Sequence, residues 1–86
     1  MDDSTLRIDK YLWAVRLYKT RSLATEACKA GKVKFKGVPV KPSHEVKVGE
    51  VYDLVIEQLH KQIQVKALLH NRVSAKLVED AMADLT

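Results

Sequence analysis

Residues 7–22, with the sequence RIDKYLWAVRLYKTRS, contain the first predicted helix and the start of a second. Apolar residues recur there at the three- and four-residue spacing of an α-helix, which predicts a helix over residues 9–18. Asp9 is placed to cap this helix, so that Arg7 precedes the cap and points freely into solvent. The first helix is therefore expected to be covered by other parts of the fold on two sides.

A second helix is predicted to begin at Thr20 or Ser22, whose hydroxyl groups suit an N-cap, and to run to about Ala30. Lys19 and Arg21 flank that start, where the helix macrodipole disfavours cations unless an anion is bound. The junction of the two helices is accordingly predicted to be an anion site. The inward face of the second helix is expected to consist of Leu23, Ala24, Ala27 and Cys28, with Gly31 as its C-terminal stop.

After the second helix the apolar period changes to two, which predicts β-structure. Val33 and Phe35 form the expected inner face of a first strand, and Gly37 turns the chain into a return strand over 38–40. Pro39 indicates that this return strand lies at a sheet edge. The expected outer, cationic face consists of Lys32, Lys34 and Lys36.

The remaining elements are a second hairpin and a final helix. Residues 51–57 predict a strand that pairs with residues 62–69 across a turn at 58–61. Ser74 is placed to cap a C-terminal helix whose apolar face is expected to cover Trp13 in the core, the alternative being that Trp13 stacks on an unpaired base. The predicted fold is α+β, with two N-terminal helices packed on a small, mainly antiparallel sheet and a C-terminal helix.

Charge is distributed unevenly along the chain. Ten Lys and Arg lie between residues 7 and 41 against two acids, and the net charge of +4 divides into +5 for residues 1–50 and −1 for residues 51–86. A dense field of one sign on an ordered scaffold is the electrostatic signature of a nucleic-acid-binding protein. The alternatives are a solvated face without a ligand and a protein-interaction module that uses the edge strand of Pro39.

Signals for catalysis, metals and membranes are weak. The sequence has no glycine-rich phosphate loop, nucleophile elbow or His–Cys pair, so neither enzyme activity nor a cofactor is expected. His44, His60 and His70 lack the spacing of a metal site, and only His44 is placed to contact phosphate. The single Cys28 suits a reducing compartment. No apolar run reaches the roughly 18 residues of a membrane span, and the acidic start is unlike a signal peptide, so a cytoplasmic location is expected.

Several motifs together resemble the S4-type RNA-binding domain. They are Arg7-Ile8-Asp9-Lys10-Tyr11-Leu12, Lys19-Thr20-Arg21-Ser22, Ala24, Gly31-Lys32-Val33, Phe35-Lys36-Gly37, Lys41-Pro42-Ser43 and Val48-Gly49-Glu50. The resemblance covers residues 6–52 and implies two helices packed on a small sheet, with RNA lying across the helix pair and the following hairpin. Residues 53–86 are expected to add a hairpin and a helix, so that residues 1–86 form one domain.

Within that superfamily, Trp13 and residues 16–22 are most similar to the small ribosome-associated heat-shock proteins of bacteria, and short ribosome-quality-control factors are the alternative. The heat-shock relatives carry a longer basic C-terminal extension, so this sequence is either a piece of such a protein or one of the shorter relatives. The resemblance implies binding to the large ribosomal subunit when a nascent chain remains attached to tRNA after aborted translation. The rival role is an accessory domain of an RNA-modifying enzyme, such as a pseudouridine synthase.

The implied partner is RNA, namely rRNA of the large subunit and peptidyl-tRNA, with neither a membrane nor DNA as the main target. The chain is expected to act as a monomer. Lysine and arginine side chains would contact phosphates, and hydroxyl groups would donate further hydrogen bonds. The residues expected to contact RNA are Arg7, Lys10, Arg16, Lys19, Thr20, Arg21, Ser22, Lys32, Lys34, Lys36, Lys41 and Ser43.

Overall fold

The computed structural model describes residues 6–69 and 74–85. The strands of this part form one antiparallel sheet in the order Val38–Pro39, Val33–Phe35, Val51–Ile56, Leu59–Val65 and Met82–Asp84, so the strand of Pro39 lies at an edge, as predicted. The α+β fold expected from the sequence is confirmed. In chain order the elements are α1 (Ile8–Ala14), α2 (Arg21–Lys29), β1 (Val33–Phe35), β2 (Val38–Pro39), β3 (Val51–Ile56), β4 (Leu59–Val65), α3 (Ala75–Ala81) and β5 (Met82–Asp84).

Helices α1 and α2 share one hydrophobic core with the inner face of the sheet. Its largest fully buried side chains include Tyr11 and Leu12 of α1, Tyr52 and Leu54 of β3, and Ile63 of β4. Burial of one such side chain stabilises the fold by roughly 1.5–3 kcal/mol, so these residues hold the helix pair firmly against the sheet. The small residues by which α2 approaches the core are Ala24, Ala27 and Cys28, as predicted.

The first helix ends at Ala14, four residues before its predicted end. Arg16 adopts a left-handed backbone with φ of 64°. Its N–H donates to the Trp13 carbonyl at 3.0 Å, and the Leu17 N–H donates to the Leu12 carbonyl at 3.1 Å. These bonds form a Schellman motif, which usually has glycine at the left-handed position. The helix end was predicted too late because the sequence has arginine, and not the usual glycine stop signal, at this left-handed position.

The second helix begins and ends as predicted. Thr20 is its N-cap, and the Thr20 Oγ1 accepts the Leu23 N–H at 3.1 Å. After Lys29, Gly31 has φ of 75° and its N–H donates to the Cys28 carbonyl at 3.1 Å. The prediction that Leu23 faces inward was wrong, because its neighbours on α2 occupy the buried face and leave it 50% exposed.

The β3–β4 hairpin turns at Glu57 and Gln58, whose φ values of 50° and 70° are both left-handed. Two consecutive left-handed residues are the mark of a type I′ hairpin turn, in which glycine or asparagine is usual. Leu59 already belongs to β4, so the predicted turn at 58–61 was placed too late. The partner strand also ends at Val65, before the predicted end at residue 69.

The C-terminal helix is short because the chain becomes extended at Met82, where β5 begins to pair with β4. The Ala81 carbonyl at this junction accepts three donors. They are the Tyr11 hydroxyl at 2.7 Å and the N–H groups of Lys66 and Ala67 at 2.8 and 3.1 Å. The predicted continuation of the helix was therefore wrong, since these bonds hold the junction in place between α1 and the end of β4.

Trp13 does not belong to the core. It is only partly buried and lies outside the hydrophobic residues that pack together, so the prediction of core packing was wrong. Ser74 occupies the N-cap position of α3 as predicted, although its side chain makes no capping hydrogen bond.

Candidate nucleic-acid interface

A buried carboxylate joins the N-terminal parts of α1 and α2. Asp9 is 1% exposed, and both of its oxygens are bound by Arg7, from Nε to Oδ1 at 3.2 Å and from Nη2 to Oδ2 at 3.0 Å. Arg21 Nη2 lies 3.7 Å from Oδ1. Thr25 Oγ1 lies 2.9 Å from both Oδ2 and the Arg21 carbonyl, so its single proton serves one acceptor at a time. We call Arg7 and Arg21 the arginine pair.

The arginine pair remains accessible to a ligand. The side chains are 48% and 46% exposed although the carboxylate between them is buried. A guanidinium has five N–H donors in a planar fork, and Asp9 accepts only two of those of Arg7. The remaining donors suit the oxygens of a phosphate. The expectation that Arg7 points freely into solvent was wrong, because Asp9 fixes its orientation.

Asp9 does not act as the predicted helix cap, because other carbonyls satisfy the first N–H groups of α1. The Ile8 N–H donates to the His44 carbonyl at 2.8 Å, and the Asp9 N–H donates to the Pro42 carbonyl at 3.3 Å. Arg7 stands at the N-cap position without a side-chain capping bond. The carboxylate is thus left to bind the arginines. The same bonds hold the loop of residues 41–46 beside the arginine pair.

Aromatic packing fixes this loop from its other side. The His44 ring lies 5.7 Å from the Phe35 ring and 5.8 Å from the Tyr52 ring, centroid to centroid. The Nε2 atom of His44 is buried without a hydrogen-bond partner. His44 is therefore a packing residue, and the structure gives no support to the expected phosphate contact. Lys41 and Ser43 of the same loop are exposed.

The helix junction was predicted to need an external anion, and part of that need is met within the chain. Arg21 is the first residue of α2, where the macrodipole disfavours a cation. The Asp9 carboxylate at 3.7 Å offsets this charge. Thr20 accepts the capping bond through its oxygen, which leaves its proton available to an acceptor. An anion bound at the junction would therefore add to an existing ion pair.

The remaining predicted residues do not all share this surface. Lys34 is exposed on β1 and lies opposite Asp53 of β3, on the sheet face away from the core. Lys36, at the turn after β1, places its Nζ 5.3 Å from the Phe35 ring centroid. Lys10 is half-buried on α1, and Ser22 is exposed on α2.

A second cationic group lies at a groove beside α2, which we call the Leu23 groove. It is formed by the α1–α2 connection, the outer side of α2 and the end of β3, and its volume is about 660 Å³. The predicted residues Arg16, Lys19 and Lys32 all line it. The residues predicted to contact RNA thus lie in at least three places, which are the surroundings of the arginine pair, the Leu23 groove and the sheet positions of Lys34 and Lys36.

Sequence reasoning missed two residues of the arginine site, namely Asp9 as the group that holds both arginines and Thr25 as its hydrogen-bond donor. A signal was present, because Arg21 and Thr25 are four residues apart and share one helix face. Burial and, to a lesser extent, the charge of Asp9 raise the pKa of the nearby Cys28 thiol to about 11, with the charge of Arg7 acting in the opposite direction. A 3% exposed thiol of this kind is a packing group.

Residues 6–69 and 74–85 contain neither a candidate metal-ligand cluster nor a helix that could cross a membrane. No group of three or more His, Cys, Asp or Glu that could hold a metal ion occurs there. Within the same residues, no helix has the length and hydropathy needed to cross a bilayer.

Known proteins resemble both the sequence and the fold. The S4 domain model matches residues 6–51. A heat shock protein 15 homolog of Aeromonas salmonicida is 38% identical over 74 residues, which are 86% of this chain and 56% of that protein. An RQC P-site tRNA stabilizing factor of Helicobacter pylori is 51% identical over 49 residues, which are 57% of this chain and 58% of that protein.

A solved structure agrees over most of the chain. The trimeric structure of heat shock protein 15 from Vibrio cholerae superposes with a TM-score of 0.88 at 35% identity, covering 93% of this chain and 81% of that one. By contrast, the chain spans little more than half the length of the two curated relatives.

Proposed function

The chain belongs to the S4 domain family, and on that basis we propose that it is an RNA-binding protein without catalytic activity that acts on large ribosomal subunits in translation rescue. The observation that carries this proposal is the arginine pair, half-exposed and oriented by one buried carboxylate. Arg7 and Arg21 both lie within the S4-like motifs of the sequence, at residues 7–12 and 19–22.

In this proposal, the Asp9 carboxylate orients the arginine pair for phosphate binding. Asp9 holds two guanidinium groups in fixed positions before RNA arrives, so less side-chain entropy is lost on binding. Each arginine presents its unused N–H donors to a phosphate, and the exposed Lys41 and the hydroxyls of Thr20 and Ser43 supply further contacts. Phosphate contacts of this kind fix register and orientation, whereas base contacts supply sequence preference.

The ribosomal target is supported by the relatives, one called heat shock protein 15 and the other an RQC P-site tRNA stabilizing factor. We propose that this chain likewise binds the rRNA of the large subunit and a tRNA that still carries a nascent chain, in the cytoplasm. A role as the accessory domain of an RNA-modifying enzyme is disfavoured, because neither relative is named as an enzyme.

Titration of large ribosomal subunits with the full chain tests the proposal. The logarithm of affinity should fall by about 0.7–0.9 per decade of salt for each phosphate contacted, giving a slope of several. Subunits that carry peptidyl-tRNA should bind more tightly than empty subunits. An affinity that barely changes over a tenfold range of salt rules out a phosphate-binding surface, and equal affinity for free rRNA fragments would favour the accessory-domain role.

Substitution of Arg21 locates the surface. Arg21→Ala should weaken binding by about 1–3 kcal/mol, the scale of lost charge-assisted hydrogen bonds, and should lower the salt slope. Lys76→Ala, at an exposed lysine of α3, is the matched control and should change neither. Lys66 is unsuitable as a control because its ammonium donates to the Glu79 carbonyl at 2.8 Å. Equal binding by the Arg21 and Lys76 variants would show that RNA binds elsewhere.

We also propose that the chain self-associates, contrary to the monomer expected from its sequence. The support is the trimer formed by the Vibrio cholerae relative. Sedimentation velocity over a range of protein concentrations tests this self-association. A single species with the mass of one chain at all concentrations would contradict it and support the monomer expected from the sequence.

A further inference from the structure

Helix α2 presents two different faces to its surroundings. Arg21 and Thr25 point toward Asp9 and belong to the arginine site. Leu23, Glu26 and Ala30 follow the helical repeat on another side and line the Leu23 groove. Leu23 is 50% exposed there, although burial of a leucine side chain is favourable. A large apolar side chain is thus left at the surface beside a groove of about 660 Å³.

The groove combines an apolar interior with charged groups of both signs. Ile56 of β3 and Ala27 of α2 contribute to its apolar lining. Lys19 and Lys32 line it, and in the described part of the chain neither ammonium forms an ion pair. Glu26 also lines it, with an exposed carboxylate. The groove therefore offers apolar contact, cations for an anionic ligand and acceptors for hydrogen-bond donors.

The backbone at the border of the groove is held in costly conformations. Arg16 and Glu57, both of which line it, have left-handed φ values of 64° and 50°. Each such residue costs of order 1–3 kcal/mol and persists only when the surrounding structure enforces it. The border is therefore fixed before any ligand binds.

We propose that the Leu23 groove holds one unpaired nucleotide of the bound RNA. The base packs against Leu23 and the apolar lining, and the flanking phosphates lie at Lys19 and Lys32. The carboxylates of Glu26 and Glu57 accept hydrogen bonds from an exocyclic amino group, as acidic side chains do from cytosine. Cytosine and adenine are therefore preferred to uracil, which lacks that group.

This inference rests on the proposed RNA binding, and position favours RNA over a protein partner. Lys19 lies two residues before Arg21, so the Cα atoms of the two residues are no more than about 7 Å apart. A strand whose phosphate contacts the arginine pair can thus bring the next nucleotide to the groove. Unpaired, splayed bases are also the usual targets of sequence-selective RNA recognition.

The test uses the full chain and RNA hairpins that contain one bulged nucleotide, compared with the fully paired hairpin. A bulged cytidine or adenosine should bind about tenfold more tightly than the paired hairpin, the lower part of the range for one base contact. Bulged uridine and an abasic site should gain less. Leu23→Ala should remove the advantage of the bulge, whereas Leu77→Ala, a leucine of α3 that is 52% exposed, should preserve it.

The Glu26→Gln and Glu57→Gln variants test the base preference and should reduce the ratio of cytidine to uridine binding. Salt-dependent binding that is indifferent to the bulge, or equal bulge preference in the Leu23 and Leu77 variants, overturns this inference and leaves the proposed function intact. If the full chain binds neither the RNA hairpins nor the ribosomal subunits, the proposed function is wrong, and this inference is wrong with it.

Discussion

Removal of either member of the arginine pair should affect stability and RNA binding differently. Arg7 makes two charge-assisted hydrogen bonds to Asp9, at 3.0 and 3.2 Å, whereas Arg21 approaches the same carboxylate only to 3.7 Å. Both guanidinium groups are half-exposed and equally accessible to a phosphate. The two residues should therefore contribute similarly to RNA binding and unequally to the free energy of unfolding.

The expected magnitudes follow from this geometry. Hydrogen bonds to a charged group contribute about 1.5–3 kcal/mol, but solvent around the half-exposed Arg7 screens the interaction, so Arg7→Ala should cost about 1–2 kcal/mol. For a domain of this size that corresponds to a fall in melting temperature of roughly 4–16 °C. Arg21→Ala should cost less than about 1 kcal/mol, the range of exposed ion pairs.

The double variant should lose more stability than the sum of the two. When Arg7 is absent, Arg21 is free to move closer to Asp9 and offset part of the loss. When both are absent, the Asp9 carboxylate remains buried with the Thr25 hydroxyl as its only other described hydrogen-bond partner. We expect an interaction energy of about 0.5 kcal/mol or more.

Thermal and urea unfolding of the three variants, with Lys76→Ala as control, measures these differences, and titration with ribosomal subunits measures binding. A larger loss of stability from Arg21→Ala than from Arg7→Ala, or strictly additive losses, would refute the assignment of Asp9 as the shared anchor.

Three further predictions concern the fold. Tyr11→Phe should cost about 1 kcal/mol in urea unfolding, a modest loss because Ala81 keeps its two N–H donors. Arg16→Gly should raise the free energy of unfolding by about 1 kcal/mol and Gly31→Ala should lower it by a similar amount, because both residues are left-handed at a helix end; opposite signs would contradict the Schellman assignment. Cys28, whose pKa burial raises to about 11, should react with iodoacetamide at pH 8 roughly 100-fold more slowly than in the urea-unfolded chain. Since the folded pKa lies above the unfolded value of 9.0, the contribution of this thiol to stability should be complete below pH 9 and be lost as the pH rises toward 11.

The parts of the fold that depend on local residue chemistry were predictable from the sequence. Thr20 caps α2, Gly31 ends it, and Pro39 lies at a sheet edge. In each case one residue type has a steric or hydrogen-bonding property that suits one position. The alternation of Val33 with lysines likewise indicated which face of β1 meets the core.

The errors arose where distant contacts outweigh local preference. Asp9 was assigned as a cap because the carbonyls that accept the N–H groups of Ile8 and Asp9, those of His44 and Pro42, are far along the chain. The turn at Glu57 and Gln58 lacks the glycine or asparagine that signals a type I′ hairpin. The residues of β5 continue the apolar pattern of a helix in the sequence. They form a strand instead because they pair with β4.

For the same reason, the sequence indicated the residue types of the candidate site but not their arrangement, which depends on contacts between distant parts of the chain. Lysines, arginines and hydroxyl residues were recognisable as ligands for phosphate by type alone. Whether such a residue lies at the arginine pair or at the Leu23 groove depends on how the helices, their connection and the sheet pack together.

The bond from the Tyr11 hydroxyl to the Ala81 carbonyl spans 70 residues of an 86-residue chain. During synthesis, the first helix emerges from the exit tunnel long before its partner is translated. Vectorial folding can assemble the helix pair and the first strands early, since N-terminal parts generally fold first. Closure of the fold must wait until residue 81 has been translated and has left the exit tunnel, so a ribosome that stalls on this message before codon 81 holds a nascent chain that cannot finish folding.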